Sequence, residues 1–455
     1  MLTLHPYQTD LITGARAALR RSGSVLIQAP TGSGKTVLSA FMAGRAARKG
    51  GRVWFVMHRR ELIEQASETF ARVGIEHGIT AAGVPGRACA VQLCAVQSLR
   101  SRVGRMLPPS LVIWDECHHM AAGTWAKLRD ALANAYHVGL SATPQRLDGA
   151  GLGAWFREIV VGPPVSDLID AGFLSPYRVF APSVPDVSGV GVRGGDYARD
   201  VLASIMDRPS VTGDAVSHYL RLARAKRAVV FCAGIEHSRR VVAQFTGAGV
   251  RALHVDGETP ALERRAAMQR FRAGEIDVLS NVDLFGEGVD VPGIEAVILL
   301  RPTQSLGLYM QQVGRGLRPA EGKDCALILD HSGNVFRHGL PDDAREWSLD
   351  APRRKPKAEN LISVKLCPKC FRALRATVQV CPCGHEFLAQ SREIAHVDGE
   401  LDEVDITALR RSRAREQSQA RTLEDLIKLG AARGYRNPAA WARHIIHARG
   451  GANHV

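Results

Sequence analysis

Three clusters of side chains in this sequence have the types and spacing that chemistry needs. The first is Ala29-Pro30-Thr31-Gly32-Ser33-Gly34-Lys35-Thr36, which follows an apolar run at residues 24–28 and opens a stretch of helical spacing. Glycines let backbone N–H groups close around phosphate oxygens, and a helix N-terminus adds positive potential. Thr31, Gly32, Ser33 and Gly34 are therefore expected to cradle the phosphates of a nucleotide. Lys35 should reach the β- and γ-phosphates, and Thr36 should offer its hydroxyl to Mg²⁺. The general pattern has glycine where Ala29 stands, so the loop is a variant. The second cluster is Asp115-Glu116-Cys117-His118, at the end of apolar residues 111–114. Two carboxylates at a strand end beside a phosphate loop divide the work: Asp115 holds Mg²⁺, and Glu116 orients and deprotonates the attacking water. The third is Cys367, Cys370, Cys381 and Cys383, four of nine cysteines within 17 residues. In a chain expected to be cytoplasmic, such a group argues for metal rather than disulfides. Thiolates from two tight knuckles suit one structural Zn²⁺. The second knuckle is Cys-x-Cys instead of the usual Cys-x-x-Cys, so His385 stands as an alternative fourth ligand.

Elements must hold these groups in place. Between residue 24 and about 160, short apolar runs at 24–28, 53–57, 91–96, 111–114 and 137–140 alternate with helical patterns such as 37–48 and 60–72. That alternation predicts a mostly parallel sheet covered by helices. Pro- and Gly-rich punctuation then marks a segment between two domains, with a short helical piece at 166–171. A second alternation runs from about 210 to 335, with strands at 228–232, 251–254, 277–281, 296–300 and 326–330 and helices at 236–246 and 260–273. The expected boundaries are 1–165 and 206–345 for two α/β domains, 166–205 between them, 361–390 for a small zinc ribbon and 400–455 for a basic helical tail. In the tail, Leu423, Leu426 and Ile427 form one apolar stripe, and Asn437-Pro438 starts a further helix.

Composition narrows the function classes. With 455 residues, 45% hydrophobic and 23% charged, the chain has the make-up of an ordinary globular protein of several domains. No basic-then-apolar leader opens it, and no apolar run approaches the roughly 20 residues that span a bilayer. A cytoplasmic protein without a membrane partner is expected. The formal charge of +14 favours a polyanionic partner, nucleic acid first. Residues 351–455 hold 19 Lys/Arg against 11 Asp/Glu, so much of the excess sits in the last quarter.

Taken in order, the motifs resemble those of superfamily 2 helicases and translocases of the DEAD/DEAH-related kind, bacterial or phage type, from residue 4 to about 335. Tyr7-Gln8 is similar to the upstream glutamine that reads the adenine edge in that group. Residues 29–36 are similar to motif I and Asp115 to His118 to motif II. Ser141-Ala142-Thr143-Pro144 is similar to motif III, which links hydrolysis to domain movement. Gly286-Glu287-Gly288-Val289-Asp290-Val291-Pro292 resembles motif V, and Gln311-Gln312-Val313-Gly314-Arg315-Gly316-Leu317-Arg318 resembles motif VI. The resemblance implies two tandem RecA-like parallel-sheet domains with ATP in the cleft. It also implies Gln8, Gly288 and Asp290 at the nucleotide, and coupling through His118, Ser141, Thr143 and Gln311. Arg315 and Arg318, three apart on an expected helix, can face one way and meet the γ-phosphate only when the domains close. Arg59-Arg60-Glu61-Leu62 with Gln65 resembles motif Ia, although His58 stands where the family often has proline, and Val96-Gln97-Ser98-Leu99 resembles motif Ib. Arg59, Gln97 and Asn281 are thus the expected nucleic-acid contacts, to phosphates rather than bases. The wording is closest to the DNA-repair and restriction-like branch, so DNA is expected ahead of RNA. The alternatives are an RNA helicase, or an ATPase clamp or duplex translocase that does not unwind, since no separation pin is visible. Protein partners are left open by the sequence.

Overall fold

Short runs of β-branched and apolar residues become the buried strands of two parallel sheets. The computed structural model describes residues 3–58, 60–146, 149–181, 190–193, 196–197, 202, 206, 209–284, 293–350, 364–387, 415–432, 438–439, 442–443 and 445–446. One compact unit runs to Leu388, and a second begins at Ala389.

In the first lobe, β1 (Ser24–Gln28), β2 (Val53–Met57), β3 (Gly78–Thr80), β4 (Val91–Ala95), β5 (Leu111–Trp114), β6 (Tyr136–Ser141) and β7 (Glu158–Val161) pair in the order β3-β4-β2-β5-β6-β1-β7, all parallel. The central strands lack alternation because helices cover both faces. Those helices are α1 (Pro6–Ser22), α2 (Lys35–Ala47), α3 (Arg60–Arg72), α4 (Val96–Arg102) and α5 (Gly123–Ala131). Two apolar cores result, one against each face, centred on Ile27, Phe55 and Phe70 and on Trp54, Trp114 and Phe156.

The chain then passes through α6 (Val165–Asp170) into β8 (Tyr177–Phe180). This strand falls within the segment read as interdomain, yet it belongs to the second sheet. After a small hairpin of β9 (Val192–Arg193) and β10 (Asp196–Tyr197), the second lobe contains α7 (Pro209–Leu222), β11 (Ala228–Cys232), α8 (Ile235–Gly247), β12 (Ala252–Val255), α9 (Ala261–Arg272), β13 (Val278–Asn281), β14 (Ala296–Leu300), α10 (Leu306–Gly316), β15 (Ala326–Asp330) and α11 (Asn334–His338). Its parallel strands follow the order β12-β13-β11-β14-β15-β8. The cysteine segment continues this sheet. β17 (Arg372–Arg375) pairs antiparallel with β8, and β16 (Val364–Leu366) pairs antiparallel with β17. The fold is therefore two RecA-like lobes, with the four-cysteine hairpin added to the edge of the second.

In the second unit, α12 (Leu423–Ala432) buries Leu426, while Leu423 is exposed, so only part of the expected stripe faces inward. Asn437 lies outside the described residues, as does Arg59. Among the described residues no helix is long and apolar enough to cross a membrane.

Candidate active site

The phosphate loop leaves the C-terminal end of β1 and turns into α2. Gly32 and Gly34 have φ of +90° and +79°, values that favour glycine, and this lets the loop curl so that its amides converge. Gln8 on α1 is fully buried. Its Nε2 donates to the Ser33 carbonyl at 3.0 Å, and its Oε1 accepts from the His5 amide. The Tyr7 hydroxyl donates to the same Ser33 carbonyl at 2.7 Å. The rings of His5 and Tyr7 pack on Phe173, at 4.4 and 5.3 Å between centroids, which makes an aromatic wall beside the loop. Lys35 Nζ points back along the loop and donates to the Ala29 carbonyl at 3.3 Å.

Asp115 and Glu116 emerge from β5, two strands from β1. Burial, reinforced by the charge of Glu116, pushes the Asp115 carboxyl up to about 7, and Lys35 pulls it back. A pair so disposed calls for a cation. Glu116 is buried with φ +47°, a strained left-handed geometry for a residue with a side chain, and strain of this kind clusters at functional sites. His118 places Nδ1 at 3.4 Å from Glu116 Oε2. Behind it the rings of His118, His119 and His58 pack tilted to one another, with centroids 4.3 and 4.8 Å apart.

The second lobe closes the opposite wall. Thr31, Gly32, Gly34, Lys35, Thr36, Asp115 and Glu116 line one cleft of about 280 Å³ with Arg315 and Arg318. Glycines let side chains of one segment press on the backbone of the other. A Cβ at Gly314 would overlap Thr31, and one at Gly32 would sit 2.9 Å from Leu174. The motif III segment is tied to the phosphate loop, because Ala29 N donates to the Ser141 carbonyl and Gln28 Nε2 to that of Ala142. Ser141 Oγ donates to the Thr143 carbonyl, and Thr143 faces Gly307 at the start of α10. Gln311 is buried on that helix.

Not every expected residue joins this site. Gly288 and Asp290 lie outside the described residues. Gln97 is exposed in the first turn of α4. Asn281, in contrast, is fully buried, and its Nδ2 donates to the Val230 carbonyl at 2.8 Å. That side chain ties β13 to β11 and presents no surface to a nucleic acid. Gln65, read with motif Ia, turns toward the cleft beside Thr69, Arg72 and Arg272. Several residues here had no local signal. Ser175 donates from its amide and hydroxyl to the carbonyls of Leu317 and Arg318, and Lys323 Nζ donates to those of Gly316 and Arg318. Arg301 pairs with Asp196 and Asp283. A carbonyl partner leaves no pattern in sequence.

The cysteine hairpin supplies a second site. Cys367–Cys383 and Cys370–Cys381 sulfurs lie 3.5 and 3.6 Å apart, and all four fall within 4.8 Å of one another. Tetrahedral zinc with bonds of about 2.3 Å sets sulfurs roughly 3.8 Å apart, so the donor set fits that ion. Burial opposes ionisation of Cys367, but the amides of Cys370 and Lys369 hold its thiol down at about 6. His385 is outside the group. Its carbonyl accepts from Cys381 N, which tightens the knuckle, and its ring packs on Phe387. Arg375 anchors the hairpin to the lobe through Asp342 and Asp343, at 3.0 and 2.6 Å.

Residues 1–146 match the family described as "Type III restriction enzyme, res subunit", and residues 212–320 match "Helicase conserved C-terminal domain". A 51.5 kDa protein of a Lactococcus phage (isolate 7-9) is 34% identical over 381 residues, 83% of this chain and 81% of the phage one. Irc3 of Saccharomyces cerevisiae, named as a candidate ATP-dependent helicase, is 28% identical over 72% of this chain, which spans only 51% of the yeast protein. Among solved structures, the Type ISP restriction-modification enzyme LlaBIII bound to DNA has a similar fold. Its TM-score is 0.57 at 18% identity, covering 73% of this chain and 28% of that one. A phosphate loop, a carboxylate pair and two arginines meet in one cleft, and the family matches fall on the two lobes that build it. The chain belongs to the superfamily 2 helicases, enzymes that hydrolyse ATP and act on nucleic acid.

Proposed function

We propose that this protein is an ATP-driven DNA helicase or translocase in which hydrolysis is coupled to closure of the two lobes. The observation that carries this reading is the shared cleft, in which Lys35, Asp115 and Glu116 of one lobe face Arg315 and Arg318 of the other. Gln8 holds the loop through the Ser33 carbonyl, and the resemblance puts the adenine on that side of the loop. Amides of residues 31–36 bind the phosphates, and Lys35 neutralises the β- and γ-oxygens. Thr36 and Asp115 would hold Mg²⁺, which when bound supplies further neutralisation of those oxygens. Glu116 orients the attacking water and takes its proton. Arg315 and Arg318 stabilise the charge that develops on the γ-phosphoryl group. Arg315 lies on the helix that touches Thr143 through Gly307, and Arg318 follows its end, so their approach is linked to the motif III segment.

DNA is favoured because the first-lobe family model is that of a restriction subunit, and the net charge of +14 suits a polyanion. Contact runs along phosphates at strand-end loops, with Arg59 and Gln97 among the donors. Cys367, Cys370, Cys381 and Cys383 would hold one structural Zn²⁺. The test is steady-state ATPase with single-stranded DNA, duplex DNA and RNA, beside a strand-displacement assay. DNA is expected to stimulate more than RNA; the reverse order overturns the substrate assignment. Hydrolysis stimulated by duplex without displacement assigns duplex translocation instead of unwinding.

A further inference from the structure

The cleft does not end at the catalytic groups. Beyond Lys35, Asp115 and Glu116 it continues between α3 and α9, lined by Gln65, Thr69 and Arg72 on one side and Arg272 on the other. Arg72 donates to the Thr69 hydroxyl, which holds its guanidinium along this wall. Glu64 of α3 pairs with Arg265 of α9 at 2.6 Å, bridging the lobes on the same two helices. Both partners are exposed, at 46% and 62%, and such pairs open readily.

At its other end the cleft is enclosed. Leu174 and Arg318 cover Gly32, and the Tyr7–Phe173 wall stands over Ser33. On the proposed reading, the adenine lies at that end. After cleavage the ADP therefore lies between that enclosed end and the free phosphate, which is left on the side of α3 and α9. Toward α3 and α9 a dianion in that position meets the guanidinium groups of Arg72 and Arg272, with Glu68 and the Glu64–Arg265 pair beside them. Guanidinium groups placed along a cleft attract an anion and guide it outward.

We propose that inorganic phosphate leaves between α3 and α9, handed outward by Arg72 and Arg272, past the Glu64–Arg265 bridge. This rests on the assignment of the ATP site above. The route separates two events that an ATPase rate alone merges: cleavage at Glu116 and departure of the product.

The test uses the full chain with Mg·ATP and DNA. Quench-flow reads cleavage, and a fluorescent phosphate sensor in stopped flow reads release. In an Arg72→Glu/Arg272→Glu variant, cleavage should keep its rate while release falls at least tenfold behind it. Arg72→Lys/Arg272→Lys should restore release, because a cation is what the route needs. Arg239→Glu, a charge reversal on an exposed arginine of the same lobe outside the cleft, should change neither signal. Release that keeps pace with cleavage in the double Glu variant overturns the route. Loss of release in the Lys variant as well also counts against it, since that would be a steric effect. If the unaltered protein cleaves no ATP in quench-flow, the reading of the ATP site fails instead.

Discussion

Glu116 shows what a single residue is asked to do here. It is buried, left-handed in φ, coupled to Asp115 through charge and placed 3.4 Å from His118. A carboxylate held so tightly is positioned for one proton transfer, so Glu116→Gln should keep nucleotide binding and lose hydrolysis. Lys35→Ala should weaken binding and turnover together. Equilibrium binding of a fluorescent ATP analogue beside ATPase separates the two, and normal hydrolysis by Glu116→Gln would remove its role. Arg315→Ala should cut nucleic-acid-stimulated turnover by roughly 10³–10⁵-fold, as arginine fingers do, while nucleotide binding to the first lobe survives. Gly314→Ala offers a subtler test. Its new methyl group would overlap Thr31 and hold the lobes apart, and misplacement on the order of 1 Å costs roughly 10²-fold in rate. Lys35, Asp115, Glu116 and Arg315 were legible because each stands in a short motif whose chemistry is local. Ser175, Lys323 and Arg272 were not, because they act through backbone carbonyls or across the interlobe gap.

Among the elements, the cysteine hairpin departs most from what the sequence suggests. Its spacing reads as a module beyond the motor, whose loss would spare basal hydrolysis. Instead β17 lies on β8, and the start of β8 is tied through Ser175 to the carbonyls of Leu317 and Arg318. Metal binding contributes on the order of 10 kcal/mol to the folding of small zinc modules. Removing metal should therefore unravel β16 and β17, expose the β8 amides and loosen Arg318. The expected result is a roughly tenfold or greater fall in basal ATPase with loss of hydrogen-exchange protection at residues 177–180, both reversed by zinc. Elemental analysis should find near one zinc per chain, and His385→Ala should retain it. Undiminished protection and rate after chelation would return the hairpin to the status of an appendage. Sequence periodicity located ten of the parallel strands, each an apolar run, and missed β3, β7 and β8. It could not show the pairing of Ala373 with Val179, because no pattern within either strand encodes a partner so distant along the chain.

At the scale of the whole molecule, stability should depend on acidity through buried imidazoles. Burial lowers His137 and His338 to about 4 and His331 to about 3, from an ordinary 6.5. His137 is also fixed as a neutral ring by Trp114 Nε1, which donates to its Nδ1. Below pH 6.5 the unfolded chain takes up protons that the folded one refuses, so stability is full above that value and falls as pH drops toward 4. Each ring contributes a slope of up to about 1.4 kcal/mol per pH unit. Denaturant midpoints measured from pH 7 to 4.5 should fall, and His137→Phe or His331→Phe should flatten the slope. A slope unchanged by either substitution would place the acid sensitivity elsewhere.

The pairing of β17 with β8 also bears on how copies of this protein treat one another. A strand at the rim of a sheet offers unmatched amides and carbonyls to any extended segment nearby, including its counterpart on a second molecule. Here the parallel sheet would end at β8, whose Tyr177–Phe180 is short but rich in aromatic and branched side chains. The hairpin takes up that valency and, among the described residues, leaves β16 as the new rim, three residues long with Lys365 at its centre. A short, charged rim is a poor template for further strands. Oxidation of the four thiols would uncover β8, so a stock stored without reductant should lose monomer in proportion to its concentration and scatter light before it loses helical content.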